Sequence, residues 1–226
     1  MVSVDQVTAA GRQYFLQHGT IDMDELAVSL AVSRATLYRV INSRDRLLGA
    51  VLWELAERTM ARARRRHTGD GIEGVLDVVR TFSDGLLDSK PFRQFLATEP
   101  EAATRVLFTP AGGVHRRAVK LVKELFEERT PADGPWIVGD RDNLAYLVVR
   151  IVESLYFAEL LAGMPPDRDL AERTTRALIL QSCAPPSFAP QSRAMKTIDA
   201  ASALIWTSLP ALLCDGGLTL AAFNSM

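Results

Sequence analysis

Near the start of this chain two short segments with helical apolar spacing stand a few residues apart, and a much longer one follows at once. In the first, residues 22–30, Leu26, Ala27 and Leu30 fall on one face. Asp22 is its candidate N-cap, and Glu25, three residues on, completes a capping-box-like pair. In the second, Ser33 is the cap and Leu37 and Ile41 are the buried positions. Ser43 then caps a helix over 44–66 with Leu47, Leu48, Val51, Leu52 and Leu55 on its apolar side. That helix ends in Arg62, Arg64, Arg65 and Arg66, cations that suit a helix C-terminus. Ahead of all three, Val7, Ala10, Gly11, Tyr14 and Phe15 mark a helix over 4–17 that Gly19 ends.

The rest reads the same way. Punctuation by Pro and Gly divides it into helices at 72–88, 91–98, 100–108, 113–129, 140–162 and 168–181. Alternating apolar residues, the mark of a strand, are missing, so the expected fold class is all-α. The expected division is a three-helix domain over 1–48, a helical body over 49–183 reached through the long helix, and a Pro-containing tail over 184–226 to which no role is assigned.

Net charge is −1 over 226 residues, but its distribution is uneven. Residues 1–68 hold ten Lys and Arg against seven Asp and Glu, and the remainder holds sixteen against twenty. A basic N-terminal module on an acidic body suits contact with nucleic acid through one end. Cys183 and Cys214 have neither metal-ligand nor disulfide-framework spacing, and His18, His67 and His115 are scattered. No metal or cofactor is therefore expected. The N-terminus lacks the pattern of a secretion signal, and no apolar run suggests a spanning helix, so the expected location is the cytoplasm, away from membranes.

The second short helix carries the chemistry of a DNA reader. A short helix, a tight turn and a second helix of small, hydroxyl and Arg residues fit the major groove. Ser33 can meet a phosphate as well as cap. Arg34 lies in the first turn, where Arg paired to guanine is the commonest specific contact. Ala35 permits close approach to a thymine methyl, and Thr36 offers both hydroxyl and methyl. Tyr38 can bond a phosphate. Arg39 and Arg44 stand where cations meet the backbone, and the free amides at the start of the long helix favour a phosphate too. A solvated hairpin with Arg on its open face satisfies the same local pattern.

The residues say more than the pattern. Asp24-Glu-Leu-Ala, five intervening residues, Ser33-Arg-Ala-Thr-Leu-Tyr-Arg, Ser43-Arg-Asp and Leu47-Leu resemble, in order and spacing, the N-terminal domain of TetR-family transcriptional regulators. The resemblance implies a homodimer on a palindromic double-stranded operator, usually as a repressor released by a small-molecule effector. Three positions depart from the family's pattern. Ala31 stands where the turn usually has Gly, and a positive backbone angle there costs Ala about 1 kcal/mol. Ile41 replaces an aromatic. Asp22 replaces a Thr that often binds phosphate, and would repel one.

In the body, Pro91-Phe-Arg-Gln-Phe-Leu with Glu99-Pro-Glu, Arg150-Ile-Val-Glu-Ser with Tyr156, and Pro166-Asp with Ala171 are similar to the C-terminal domain of the QsdR-type subgroup. Regulators of that type are linked to genes that degrade lactone signals, which implies a lactone-like effector. Along 140–162, Leu144, Leu147, Val148, Ile151, Leu155 and Ala158 make a broad apolar stripe. Arg150 and Glu153, three apart, can pair on one face, either as a structural ion pair or as the polar anchor of an effector. Phe92, Phe95, Trp136, Tyr146 and Tyr156 are candidates for an apolar effector chamber or for plain core. Helices 140–162 and 168–181 are the expected dimer bundle. Two alternatives stand beside the repressor. One is a DNA-binding regulator controlled by a protein partner. The other, an enzyme, finds no nucleophile elbow, phosphate-cradling Gly loop or metal cluster in its favour, so no catalytic residue is assigned.

Overall fold

A computed structural model describes residues 2–110, 112–131, 137, 139–162 and 164–183; the tail over 184–226 and Trp136 lie outside them. Among the described residues there are ten α-helices and no strand. They are α1 (Val4–His18), α2 (Met23–Ser29), α3 (Arg34–Ile41), α4 (Arg44–Arg66), α5 (Gly71–Leu87), α6 (Lys90–Thr98), α7 (Pro100–Phe108), α8 (Val114–Glu128), α9 (Arg141–Ala162) and α10 (Arg168–Cys183).

Local chemistry explains the ends. Ser3 and Gln6 form a reciprocal capping box on α1. Gly19 closes that helix at φ 67, its N–H donating to the Phe15 carbonyl. Asp22 caps α2 by accepting from the amides of Asp24 (2.8 Å) and Glu25 (3.0 Å). Those two bonds, Glu25's first, hold its carboxyl below the usual range. Glu25 does not complete the expected capping box, because its carboxylate accepts from the Tyr14 hydroxyl instead. Ser33 and Ser43 cap α3 and α4 through the amides of Thr36 and Arg46. Both tight turns use a non-glycine residue at positive φ, Ala31 at 52 and Asn42 at 67. Ala31 thus adopts the angle for which glycine is favoured, with Val32 N–H bonded to the Ala27 carbonyl across the turn.

Helices as short as α2 and α3 are marginal alone, so their apolar faces must supply the stability. Leu26, Leu37 and Ile41 do so, packed with Val7, Phe15, Leu47, Leu48 and Val51. That core does not stop at residue 48, where the sequence suggested a domain boundary. It runs on into Phe92, Phe95 and Leu96 of α6, Ala102, Ala103, Val106 and Leu107 of α7, and Phe157 of α9. A second core joins Met60 and Ala63 of α4 to Val75 and Val79 of α5, Leu125 and Phe126 of α8, Val148 and Val149 of α9 and Ile179 of α10. Helix α4, about 34 Å long at 1.5 Å per residue, belongs to both.

Two close approaches fix how α4 meets the body. Gly49 packs on the backbone of Gly112, whose oxygen would clash with a Cβ at position 49. At the other end, the buried Arg129 donates to the carbonyls of Arg64, His67 and Gly69 and clamps the α4–α5 turn. Helices α10 and α5 are tied by ion pairs, Arg168 to Asp84 and Asp88, and Arg176 to Glu73.

Candidate nucleic-acid interface and the chamber behind it

The turn and caps leave one face of α3 open. Leu37 is wholly buried and points the helix inward, while Ser33, Arg34, Ala35 and Arg39 are exposed and Thr36 and Tyr38 half-buried. The Ser33 hydroxyl is shared between the Thr36 amide (3.1 Å) and the Thr36 hydroxyl (2.9 Å). The Arg34 guanidinium donates to both carboxylate oxygens of Asp24 on α2, at 2.7 and 2.8 Å, and sits 5.5 Å over the Tyr38 ring. Both partners are more than half exposed, at 57% and 65%. Such a surface pair is worth about 0–1 kcal/mol, so Arg34 is oriented yet easily exchanged onto a stronger partner.

Arg44 is placed otherwise than the sequence suggested. It is not presented to a phosphate but turned into the molecule. Its Nε donates to the Ile21 carbonyl (2.7 Å), and its Nη2 donates to the Thr20 hydroxyl (2.9 Å) and to Glu99 (2.8 Å). The Thr20 hydroxyl donates to the same Glu99 oxygen. Burial pushes the Glu99 carboxyl up, but the bonds from Arg44 and Thr20 outweigh it, and the carboxyl lies below its ordinary value of 4.5. The next residue, Asp45, accepts from Arg105 on α7 at 3.0 Å. The start of α4 is thus pinned to the α6–α7 corner by two pairs of opposite polarity. Gln94 adds a third tie, donating from α6 to the His18 carbonyl. A residue the sequence reasoning missed, Arg46, is exposed and has no ion-pair partner among the described residues. Its place one turn beyond the Ser43 cap was the available signal.

Behind this junction lies a chamber of about 320 Å³ walled chiefly by α4, α5, α8 and α9, with fewer residues from α1, α6 and α7. That volume falls at the lower end of small-molecule sites, roughly 300–1,000 Å³. The other notable cleft, beside Arg168, holds only about 20 Å³, room for about one water. Of the residues proposed from sequence, Phe92, Glu153 and Tyr156 line the chamber. Phe95 does not: it is fully buried in the first core, edge-on to Phe15 at 5.7 Å. Tyr146 is 45% exposed and meets His115 instead. Arg150 lies outside the wall, 5.7 Å above the Phe108 ring. Arg150 and Glu153 do pair, at 2.7 Å, and the second Glu153 oxygen accepts from His115 Nδ1 at 2.8 Å. Sequence reasoning missed Trp53, Phe15 and His115 here. The first lies on α4 beside the apolar stripe and had no separate signal.

The Tyr156 hydroxyl is the anomaly in this wall. It is buried and has no hydrogen-bond partner. Desolvation, and then the charge of Glu153, push its ionisation far above the ordinary tyrosine value. An orphaned buried hydroxyl costs about 1–3 kcal/mol.

Among the described residues no cluster of His, Cys, Asp or Glu is arranged to hold a metal, and no helix is long and apolar enough to cross a membrane. Residues 70–180 match the tetracyclin repressor-like C-terminal domain family. Among curated proteins none matches this chain. Among solved structures, the TetR-family transcriptional repressor QsdR of R. erythropolis aligns with TM-score 0.71 and 28% identity, covering 81% of this chain and 97% of that one. The TetR-family repressor AlkX of a Dietzia species, implicated in biodegradation of n-alkanes, shares the fold with TM-score 0.52 and 20% identity, covering 79% and 98%. Residues 70–180 thus carry a tetracyclin repressor-like C-terminal domain behind an N-terminal helix-turn-helix, and the chain has the fold of TetR-family transcriptional regulators.

Proposed function

We propose that this protein is a transcriptional repressor that binds a palindromic operator as a homodimer and lets go when a small molecule enters the chamber. The observation that carries this reading is a shared wall. Phe15, Leu52 and Phe92 line the chamber and also belong to the core that holds α2 and α3. An occupant that moves them acts directly on the reader's packing. Exposed apolar side chains on α9 and α10, Tyr146, Leu147, Leu170 and Leu180, support these helices as the two-fold seam. Such a dimer would set its two α3 helices about 34–36 Å apart, one turn of DNA. Ser33, Arg34, Ala35, Thr36, Tyr38 and Arg39 form the proposed reading face, with Arg46 in place of Arg44 at the phosphates. Regulators of this family bind DNA and are not enzymes, and no catalytic role is proposed.

The test is selection of bound genomic fragments by the purified protein, followed by transcription from the recovered promoter with and without the protein. A recovered palindrome whose promoter falls silent in its presence is the expected result. Enrichment of no sequence over random DNA would defeat the reading.

A further inference from the structure

On the reading of α3 as the DNA-binding helix, we infer that Asp24 of α2 is a positioning residue, which fits Arg34 to a neutral base edge with two acceptors and keeps it off phosphates. The carboxylate takes only one corner of the guanidinium. Nη1 of Arg34 donates to both Asp24 oxygens, at 2.8 and 2.7 Å, and the edge formed by Nε and Nη2 donates nothing to them. That edge is a rigid fork of two N–H donors, the geometry that matches O6 and N7 of guanine. Tyr38 flanks the same guanidinium, its ring centre 5.5 Å from the central carbon. With Asp24 on one helix and Tyr38 on the other, the side chain has fewer directions in which to swing.

Charge decides between the two targets. Arg34 bound to Asp24 forms a pair with no net charge, so it adds little to the attraction of phosphates. A phosphate on the free edge would set a second anion across one guanidinium from the first, closer than salt can screen. Guanine is neutral and meets no such repulsion. When Nη1 lets go, the bare carboxylate still repels phosphate, so the discrimination persists. The surroundings of Asp24 act in the same direction. Asp22 and Glu25 are exposed carboxylates at the same start of α2. Asp22 already accepts from the amides of Asp24 and Glu25, the groups that a phosphate would otherwise use there. Arg39 and Arg46, by contrast, are exposed and have no ion-pair partner among the described residues, so the grip on the DNA backbone falls to them.

The experiment compares full-length wild type, Asp24→Asn and Asp24→Glu on a labelled duplex of mixed sequence and on a randomised duplex pool. Anisotropy on the first gives affinity and its slope against salt, and sequencing of bound molecules from the second gives the preference at each base pair. Asp24→Asn should bind the mixed duplex about three- to tenfold more tightly, with a salt slope steeper by about one ion. It should also flatten, by about threefold or more, the preference at the base pair that Arg34→Ala flattens. Asp24→Glu keeps the charge and should stay within about twofold of wild type on the mixed duplex. Thermal melts confirm that both variants fold. Unchanged affinity of Asp24→Asn for the mixed duplex overturns the role of Asp24, as does an unchanged base profile. Equal weakening on both probes makes Asp24 only a stitch between α2 and α3. Tightening by Asp24→Glu equal to that by Asp24→Asn removes charge as the cause and overturns it too. A wild type that enriches no sequence from the pool sinks the DNA-binding reading itself, and the role of Asp24 with it.

Discussion

On the α3 face, polar groups are exposed and provisionally partnered: Arg34 rests on Asp24, and Ser33 on Thr36. In the chamber wall, polar groups are few and enclosed, with Glu153 at 11% exposure held by His115 and Arg150 and the Tyr156 hydroxyl held by nothing. The difference lies in the cost of exchange. At the surface, water replaces a lost partner, so Arg34 can leave Asp24 for a base edge at the cost of a pair worth about 0–1 kcal/mol. At the Tyr156 hydroxyl, which is closed to water, a missing hydrogen bond goes uncompensated. The proposed repressor would use the first arrangement to find one DNA sequence and the second to answer to one small molecule. The same contrast separates two arginines ten positions apart. Arg34 is free to change partner; Arg44 is committed to Thr20, Ile21 and Glu99.

Five measurements can break or sharpen that contrast. The largest effect belongs to the shared core. Leu37→Ala should cost about 2–5 kcal/mol in denaturant unfolding, and a loss under 1 kcal/mol would mean that α3 is not anchored through its buried face. Next is Gly49→Ala, which sets a methyl against the Gly112 carbonyl. A stability loss of about 1–3 kcal/mol is expected, and an unchanged melting temperature would show that the α4–body contact yields freely.

Arg34→Ala should weaken operator binding by about 1–3 kcal/mol and relax preference at one base pair, while binding to random DNA changes little. Equal losses on both DNAs would place Arg34 on the backbone instead. The smallest effect is expected at the junction. Arg44→Ala should leave the slope of operator affinity against salt unaltered, because its charge faces Glu99 and not phosphate. Glu99→Gln should cost about 1 kcal/mol at neutral pH, because the amide oxygen still accepts from Arg44 and Thr20 and only the charge is lost. Since the folded Glu99 carboxyl is depressed, its contribution is present above 4.5 and fades as pH falls through the folded value. Wild type and Glu99→Gln should therefore converge in stability as the pH is lowered below 4.5 through the folded value. A gap that persists there would assign the effect to packing.

Much of the fold was legible in the residues. Caps at Ser33 and Ser43, Gly19 at a helix end and Pro91 and Pro100 in first turns are local signals, and they mark helix ends to within a residue or two. The positive φ of Ala31 was legible only through the resemblance, because the family's turn usually has Gly there. The chamber was half legible. Glu153 and Tyr156 share a helix face, which spacing reveals, but Phe92 and Phe95 are equally aromatic and only the angle at which α6 meets α1 and α9 sends one to the chamber and the other to Phe15.

What the sequence determined by itself is the order of the helices, their ends and which side of α3 stays exposed, since these depend on contacts within a few positions along the chain. Tertiary structure alone decided the fate of Arg44, whose partner Glu99 is 55 residues away. It also joined the reader and the chamber into one core and left the Tyr156 hydroxyl without a partner. Those outcomes depend on which helix faces meet, and burial there sets the electrostatics that local spacing cannot report.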